Sequence, residues 1–307
     1  MIGEVAFNYP FHAFDDERNS EALALLAAIH EYSKEARHLF VNPLRHWMYR
    51  LSDVRRYHGA IGMFRRLCQE MYRQFLDTPP EQRDPTSIIF HIHKAPYASD
   101  FERIGDIFML FLAGHDTTGF TISWGVYHLA KNPRVLKKLQ QELDGADFAG
   151  DLPTYEELSP LPYFNACIKE IMRISPVASN GSIRQTEGGM KVTSGGVDYW
   201  LPGGYEIYAA IMPVLTDDRI WGDGNVFRPE RWLEASEEQL KLYNKAFQPF
   251  SMAPRSCIGT NLAMIEVRLT MAVLFTRYEF EVIQEPTPVS AVTYKPQGLT
   301  VRSIKRT

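Results

Sequence analysis

Apolar positions recur along this chain mostly at helical spacing. Leu23, Leu26, Ala27, Ile29 and His30 predict a helix from Ser20 to about Phe40, capped by Ser20 or Asn19 and stopped by Asn42-Pro43. A second amphipathic helix is predicted from about Val54 to Leu76. It carries Ile61, Phe64, Leu67, Cys68, Met71 and Phe75 on one side and Arg55, Arg56, Arg65, Arg66 and Arg73 on the other. Residues 1–19 are mixed, with a break at Tyr9-Pro10, and Ser87 to His93 is a short apolar piece. Ser99-Asp100-Phe101-Glu102 has the form of a capping box, and the helical pattern behind it runs to about Lys131. At 1.5 Å per residue that helix spans roughly 45 Å. It is apolar on most sides, so it should cross a core.

Asn132-Pro133 reads as the cap and first residue of a helix to about Leu143. Thr154-Tyr155-Glu156-Glu157 is a second box-like start, and a helix follows from Leu161 to Ile174. The period then changes. Met190–Thr193, Val197–Leu201 and Tyr205–Tyr208 read as short strands, with Pro202-Gly203-Gly204 as the turn between the last two. Residues 211–249 read as irregular, aromatic-rich chain packed over a site. A helix from about Ile258 to Tyr278, a strand at Phe280–Ile283 and a last strand near Leu299–Val301 complete the pattern. The fold class expected is mainly α with small β-sheets.

Composition narrows the function classes. Apolar residues make up 45% and charged residues 23%, a balance that supports a buried core. The net charge of −4 argues against a nucleic-acid binder held by phosphate attraction. Cys68, Cys167 and Cys257 are odd in number and far apart, which is neither a disulfide framework nor a zinc spacing. The longest apolar run, Ile107 to Ala113, is too short to span a bilayer. The first residues enter an apolar pattern at once, with no basic leader.

Three stretches carry candidate chemistry. In the long helix, Ala113, Gly114 and Thr117 share a face nearly bare of bulk, next to an acid, Asp116. Such a face suits either close helix packing or the approach of something flat. Glu170 and Arg173 lie at i, i+3 on one helix face; on a surface that pair would mean little. Finally, Phe250-Ser251-Met252-Ala253-Pro254-Arg255-Ser256-Cys257-Ile258-Gly259 places a lone cysteine just before a helix. Cys257 is either a buried free thiol or a metal ligand; the dipole of the following helix would favour its thiolate.

With these residues in view, the chain resembles the cytochrome P-450 family of haem-thiolate monooxygenases, in its eukaryotic-type members. Ala113-Gly114-His115-Asp116-Thr117-Thr118 matches the family's A/G-G-x-D/E-T-T motif, and Glu170 with Arg173 its E-x-x-R motif. Pro229-Glu230-Arg231-Trp232 matches the P-E-R-W form. Phe250, Arg255, Cys257 and Gly259 match the cysteine loop, in which Ala253 stands at a glycine position that favours positive φ. The four motifs occur in the family's order. By this resemblance residues 1–307 form the C-terminal two-thirds of the family fold, a partial domain with a long central helix over a cysteine-ligated haem. The early helices, first sheet strands and membrane anchor would precede Met1.

The resemblance implies haem b as cofactor, with Cys257 as axial ligand. Arg255, and more weakly Arg184, would bind propionates. Phe250 would shield the sulfur, and Gly259, Ala113 and Gly114 would lie against the macrocycle. Asp116 and Thr117 match the acid–alcohol pair that delivers protons to dioxygen. Glu170, Arg173 and Arg231 match a buried ion triad with a structural role. The expected partners are O2, an NADPH-dependent flavoprotein reductase and a small apolar organic substrate, with no nucleic acid. Phe108, Phe111, Leu112, residues 177–180 and Gln297-Gly298 would line the substrate pocket. The full-length protein would sit at the cytosolic face of the endoplasmic reticulum membrane through an anchor outside this chain. Two other readings stay open: a haem-thiolate peroxide isomerase or lyase, and a non-catalytic remnant.

Overall fold

The computed structural model describes residues 2–12, 15, 20–48, 51–290 and 292–306. Met1 and the alternative cap Asn19 lie outside the described residues. The chain forms two compact units, Met1–Asp116 and Thr117–Thr307, each with its own core.

The first unit holds α1 (Ile2–Phe7), α2 (Ser20–Val41), α3 (Ser52–Asp77), α4 (Ile88–Lys94) and the start of α5 (Asp100–Lys131). Phe64, Leu67, Met71, Ile89, Ile107 and Phe111 are the centre of its core. Tyr32 of α2 stacks on Tyr57 of α3 with ring centroids 5.5 Å apart. The apolar side predicted for α3 is buried, and its arginine side is not. The opening stretch, expected to be mixed, contains a helix. At six residues α1 is too short to show a period; Ala6 and Phe7 hold it by tertiary burial. The capping box of α5 forms with a shift. Ser99 Oγ accepts from the Glu102 amide at 3.3 Å, while Glu102 accepts from the Ala98 amide at 3.1 Å instead of that of Ser99.

In the second unit the end of α5 joins α6 (Pro133–Asp144), α7 (Tyr155–Leu158), α8 (Pro162–Ile174) and, near the C-terminus, α13 (Thr260–Arg277). Their core centres on Trp124, Leu129, Leu139, Phe164, Ile171 and Phe275. The Thr154–Glu157 capping box is complete. Beyond α8 the strands are β1 (Ser182–Gln185), β2 (Met190–Ser194), β3 (Val197–Leu201) and β4 (Glu206–Ala209). The turn at Pro202-Gly203-Gly204 joins β3 and β4, but these two do not pair. β2 and β3 form a hairpin across Gly195-Gly196, both at positive φ, and β4 returns to pair with β1. Strand partners set by distant segments leave no local pattern to read.

Residues 211–249 also differ from expectation. They contain α9 (Met212–Leu215), α10 (Asp218–Trp221), α11 (Arg231–Glu234) and α12 (Glu237–Ala246). Trp221, Trp232 and Tyr243 pack these pieces into a small core of their own, with the rings of Trp221 and Tyr243 stacked at 4.5 Å. One signal was present in the sequence: Ser236 and Gln239 form a full capping box for α12. After α13 the chain forms β5 (Tyr278–Gln284), β6 (Thr287–Ser290), β7 (Tyr294–Gln297) and β8 (Thr300–Lys305), paired β5 with β8 and β6 with β7. Tyr278 opens β5 instead of closing α13. Among the described residues no helix is long and apolar enough to cross a membrane.

His128 marks a pH-sensitive point of this unit. Its ring stacks between Trp124, at 5.7 Å, and Phe227, at 5.0 Å, and its Nε2 lies 2.8 Å from Ser175 Oγ. Burial, with Arg173 nearby, pushes its pKa down from 6.5 to about 4. The folded state therefore holds the ring neutral where the unfolded chain protonates it. The contribution is complete above about pH 6.5 and is lost as pH falls toward 4, on the order of 3 kcal/mol. Urea unfolding at pH 7 and 4.5 should show this loss, and His128→Phe, which keeps the stacking, should flatten it. Equal pH slopes in the two proteins would refute the assignment.

Candidate functional site

The site is built on the loop between α12 and α13. Ser251 carries positive φ, +61°, and its amide bonds to the Gln248 carbonyl at 3.1 Å. The Arg255 amide bonds to the Met252 carbonyl at 3.0 Å, and the Cys257 amide closes the loop onto the Phe250 carbonyl at 2.8 Å. Gly259 is the N-cap of α13, and Thr260 Oγ1 donates to the Cys257 carbonyl at 2.8 Å. The expected strain at Ala253 is corrected: Ala253 is not among the residues at positive φ. The left-handed residue is Ser251, two positions earlier, so alanine at 253 meets no conformational penalty of that kind.

Cys257 is exposed, whereas the other two cysteines are buried. Burial pushes the Cys68 thiol up to about 12. It also raises that of Cys167 well above its ordinary value, helped by Glu230, Glu142 and Glu170. Neither core thiol can readily present a thiolate. A Cβ at Gly259 would lie 3.8 Å from Cys257 Sγ, so a side chain there would begin to cover the sulfur. Arg255 is exposed and has no ion pair among the described residues. Phe250 is half-buried and packs on the core of this unit. Among the described residues no group of three or more His, Cys, Asp or Glu could hold a metal ion. An exposed sulfur left open by glycine, with an exposed arginine two residues earlier in the same loop, fits a haem with anionic propionates.

A cavity of about 40 Å³ brings the central helix to this loop. It is lined by Thr117, Thr118 and Thr121 of α5, by Phe250, and by Ala263 of α13, with Val177 among the residues on its other wall. That volume admits a small molecule such as water. Thr121 Oγ1 donates to the Thr117 carbonyl at 2.8 Å, the kind of back-bond that bends a helix. The threonine that takes part lies one turn beyond the Thr117-Thr118 pair.

The other predicted site residues fall as follows. Asp116 is buried on α5, with Oδ1 3.2 Å from His115 Nδ1. Gly114 has a packing reason of its own, since a Cβ there would sit 2.8 Å from Ile2 Cδ1 of α1. That is the close-packing alternative for this face, and Ala113 precedes it on the same helix. Arg184 lies exposed on β1, where its Nη1 donates to the neighbouring Ile183 carbonyl at 2.9 Å. Of the expected substrate-pocket residues, Val177 lines the threonine cavity. Phe111 and Leu112 belong to the core of the first unit, and Phe108 lines a separate cavity there. Ser179 and Asn180 bond to Ser290, and Gly298 follows β7 at positive φ.

Glu170, Arg173 and Arg231 have fully buried side chains. Arg173 donates to both oxygens of Glu170, at 2.8 and 3.0 Å, and Arg231 Nε donates to Oε1 at 3.0 Å. Two further members escaped the sequence reading. Trp232 Nε1 donates to Glu170 Oε2 at 3.0 Å, and Asp223 pairs with Arg231 at 2.6 Å. Burial works to raise the Asp223 pKa, but Arg231 and Arg228 outweigh it and the net shift is downward. The remaining N–H groups of Arg173 reach the carbonyls of Leu215, Gly224 and Val226. The network thus ties α8 to the 211–234 segment.

The chain matches the cytochrome P-450 family profile over residues 1–303. A cytochrome P-450 of Caenorhabditis elegans is 35% identical over 193 residues, covering 60% of this chain and 34% of the relative. A cytochrome P-450 monooxygenase of Gibberella fujikuroi is 33% identical over 187 residues, 58% of this chain and 34% of its own length. The chloroplastic protein LUTEIN DEFICIENT 5 of Arabidopsis thaliana is 26% identical over 332 residues, covering 100% of this chain and 53% of that protein. The chain spans about half the length, or less, of these curated relatives.

Proposed function

Because the chain belongs to the cytochrome P-450 family, we propose that it is the haem-bearing part of a monooxygenase that hydroxylates a small apolar organic substrate. The observation that carries this reading is the cavity in which the Thr117 face of α5 meets Phe250 and Ala263 of the cysteine-loop side. Cys257 would hold haem b through its thiolate, Arg255 would bind a propionate, and Phe250 would shield the sulfur. Arg184 is the weaker candidate for a second propionate. When bound, the haem supplies the oxygen chemistry, with the thiolate pushing electron density toward O–O cleavage. The residues of the chain position and protonate. Thr117 hands on protons at Oγ1, and the adjacent Asp116 carboxyl replenishes them. Thr118, Thr121 and Val177 bound the space and limit the water that enters it.

Electrons would come from NADPH through a flavoprotein reductase. The place proposed for the protein is the cytosolic face of the endoplasmic reticulum membrane. The test is oxygen consumption by haem-loaded protein with NADPH and a flavoprotein reductase. Thr117→Ala should still consume oxygen but release most of it as hydrogen peroxide, with oxygenated product down roughly 10²-fold, the scale of a lost proton-transfer group. Turnover with an organic hydroperoxide, but none with reductase, NADPH and O2, would favour a peroxide isomerase or lyase instead.

A further inference from the structure

The first unit contains a cavity of about 350 Å³ between α3 and the start of α5, which the proposed reaction does not use. Ile61 and Phe64 of α3 and Ile104 and Phe108 of α5 form its apolar walls. The size and lining are those of a small-molecule site. Two observations say what would occupy it. The first is Gly105, in the second turn of α5 and on the cavity wall. A Cβ built there meets nothing within 4 Å. No neighbouring side chain requires this glycine, and glycine costs a helix about 1 kcal/mol against alanine. Its effect is to leave backbone bare toward the cavity, where an apolar body can lie close.

The second observation is charge. Two ionisable groups line the cavity, Arg65 and Asp100. Asp100 is ion-paired with Arg103. Arg65 has no ion pair among the described residues; its guanidinium lies 5.2 Å from the Phe101 ring centroid. Gln69, one turn along α3, adds an amide at the rim. An apolar chamber with one unpaired planar cation at its edge complements a single carboxylate on an apolar tail. We propose that this cavity is a second ligand site, for a small amphiphilic carboxylate. The tail lies over Gly105 between Phe64 and Phe108, and the carboxylate pairs with Arg65. None of the residues that line it is among those proposed to hold the haem.

The probes are dodecanoate and 1-dodecanol, titrated calorimetrically into the folded chain. Dodecanoate should bind at one site about tenfold more tightly than the alcohol, as expected for a charge-assisted hydrogen bond. Arg65→Gln should bring dodecanoate down to the alcohol's affinity and leave the alcohol unchanged. Gly105→Leu fills the cavity with a better helix former, so it should abolish binding of both probes without lowering the thermal midpoint. If that variant folds poorly, Ile61→Trp blocks the same space from α3. The proposal is overturned if neither probe binds. It is also overturned if Arg65→Gln weakens both probes equally, or if dodecanoate still binds a folded variant with the cavity filled.

Discussion

Replacing Glu170 by alanine is expected to destabilise the Thr117–Thr307 unit by about 3–5 kcal/mol, the scale of removing one partner from a buried ion pair. Among the described residues Glu170 is the one carboxylate that both buried arginines share, and it also accepts from Trp232 Nε1 and from the Arg228 amide. Without it, Arg173 keeps the carbonyls of Leu215, Gly224 and Val226 and the Trp221 ring, 5.2 Å from its Cζ, but loses the carboxylate that balances its charge. Arg231 keeps Asp223, which is about one-third exposed and so compensates less. The loss should appear in urea unfolding followed by tryptophan fluorescence. Trp221 and Trp232 pack together in the small core that the network supports, with centroids 5.4 Å apart. Arg302→Ala, in its pair with Glu281 that is exposed at both ends, is the control and should cost under about 1 kcal/mol. A Glu170→Ala loss no larger than the control would show that the network does not lock the segment.

The network also shows what could be read from sequence and what could not. Glu170 and Arg173 share a helix face at a spacing that any reading finds, yet that spacing occurs at surfaces too, where it has little value. Their burial depends on residues 42–62 positions away, such as Leu215 and Trp232, and that information is not local. A helix with a clean apolar side, such as α3, and a start with its own capping box, such as Thr154–Glu157, were legible because the face or the cap lies within one short window. β4 was read as a strand at Tyr205–Tyr208, but its pairing with β1 was not legible, because each takes its partner from across an intervening hairpin. The cysteine loop was legible in its residue types and misread in its backbone: Ser251 makes the left-handed turn while Ala253 does not. Gly114 and Gly105 lie nine positions apart on one helix and have opposite surroundings. One is filled by Ile2 and the other opens on a cavity, and only three-dimensional packing separates them.

Cys257→Ser should abolish thiolate ligation of haem while leaving the fold intact. Reduced protein under carbon monoxide should lose its red-shifted thiolate-type band entirely, whereas Cys68→Ala and Cys167→Ala should keep it. The asymmetry follows from environment. A thiolate ligand must be accessible and able to lose its proton, and burial disfavours that charge at Cys68 and Cys167. Those two replacements instead remove packed core atoms, so their effect should be on stability. Serine at 257 removes only an exposed sulfur. The bonds that shape the loop there are made by the backbone, from the 257 amide to the Phe250 carbonyl and from Thr260 Oγ1 to the 257 carbonyl. The variant should therefore unfold at the same urea midpoint as the parent. Arg255→Ala separates binding from ligation: it should keep the thiolate band but weaken haem retention, since it removes the guanidinium that would pair with a propionate. A thiolate band that survives in Cys257→Ser would place the ligand elsewhere and sink the proposed site.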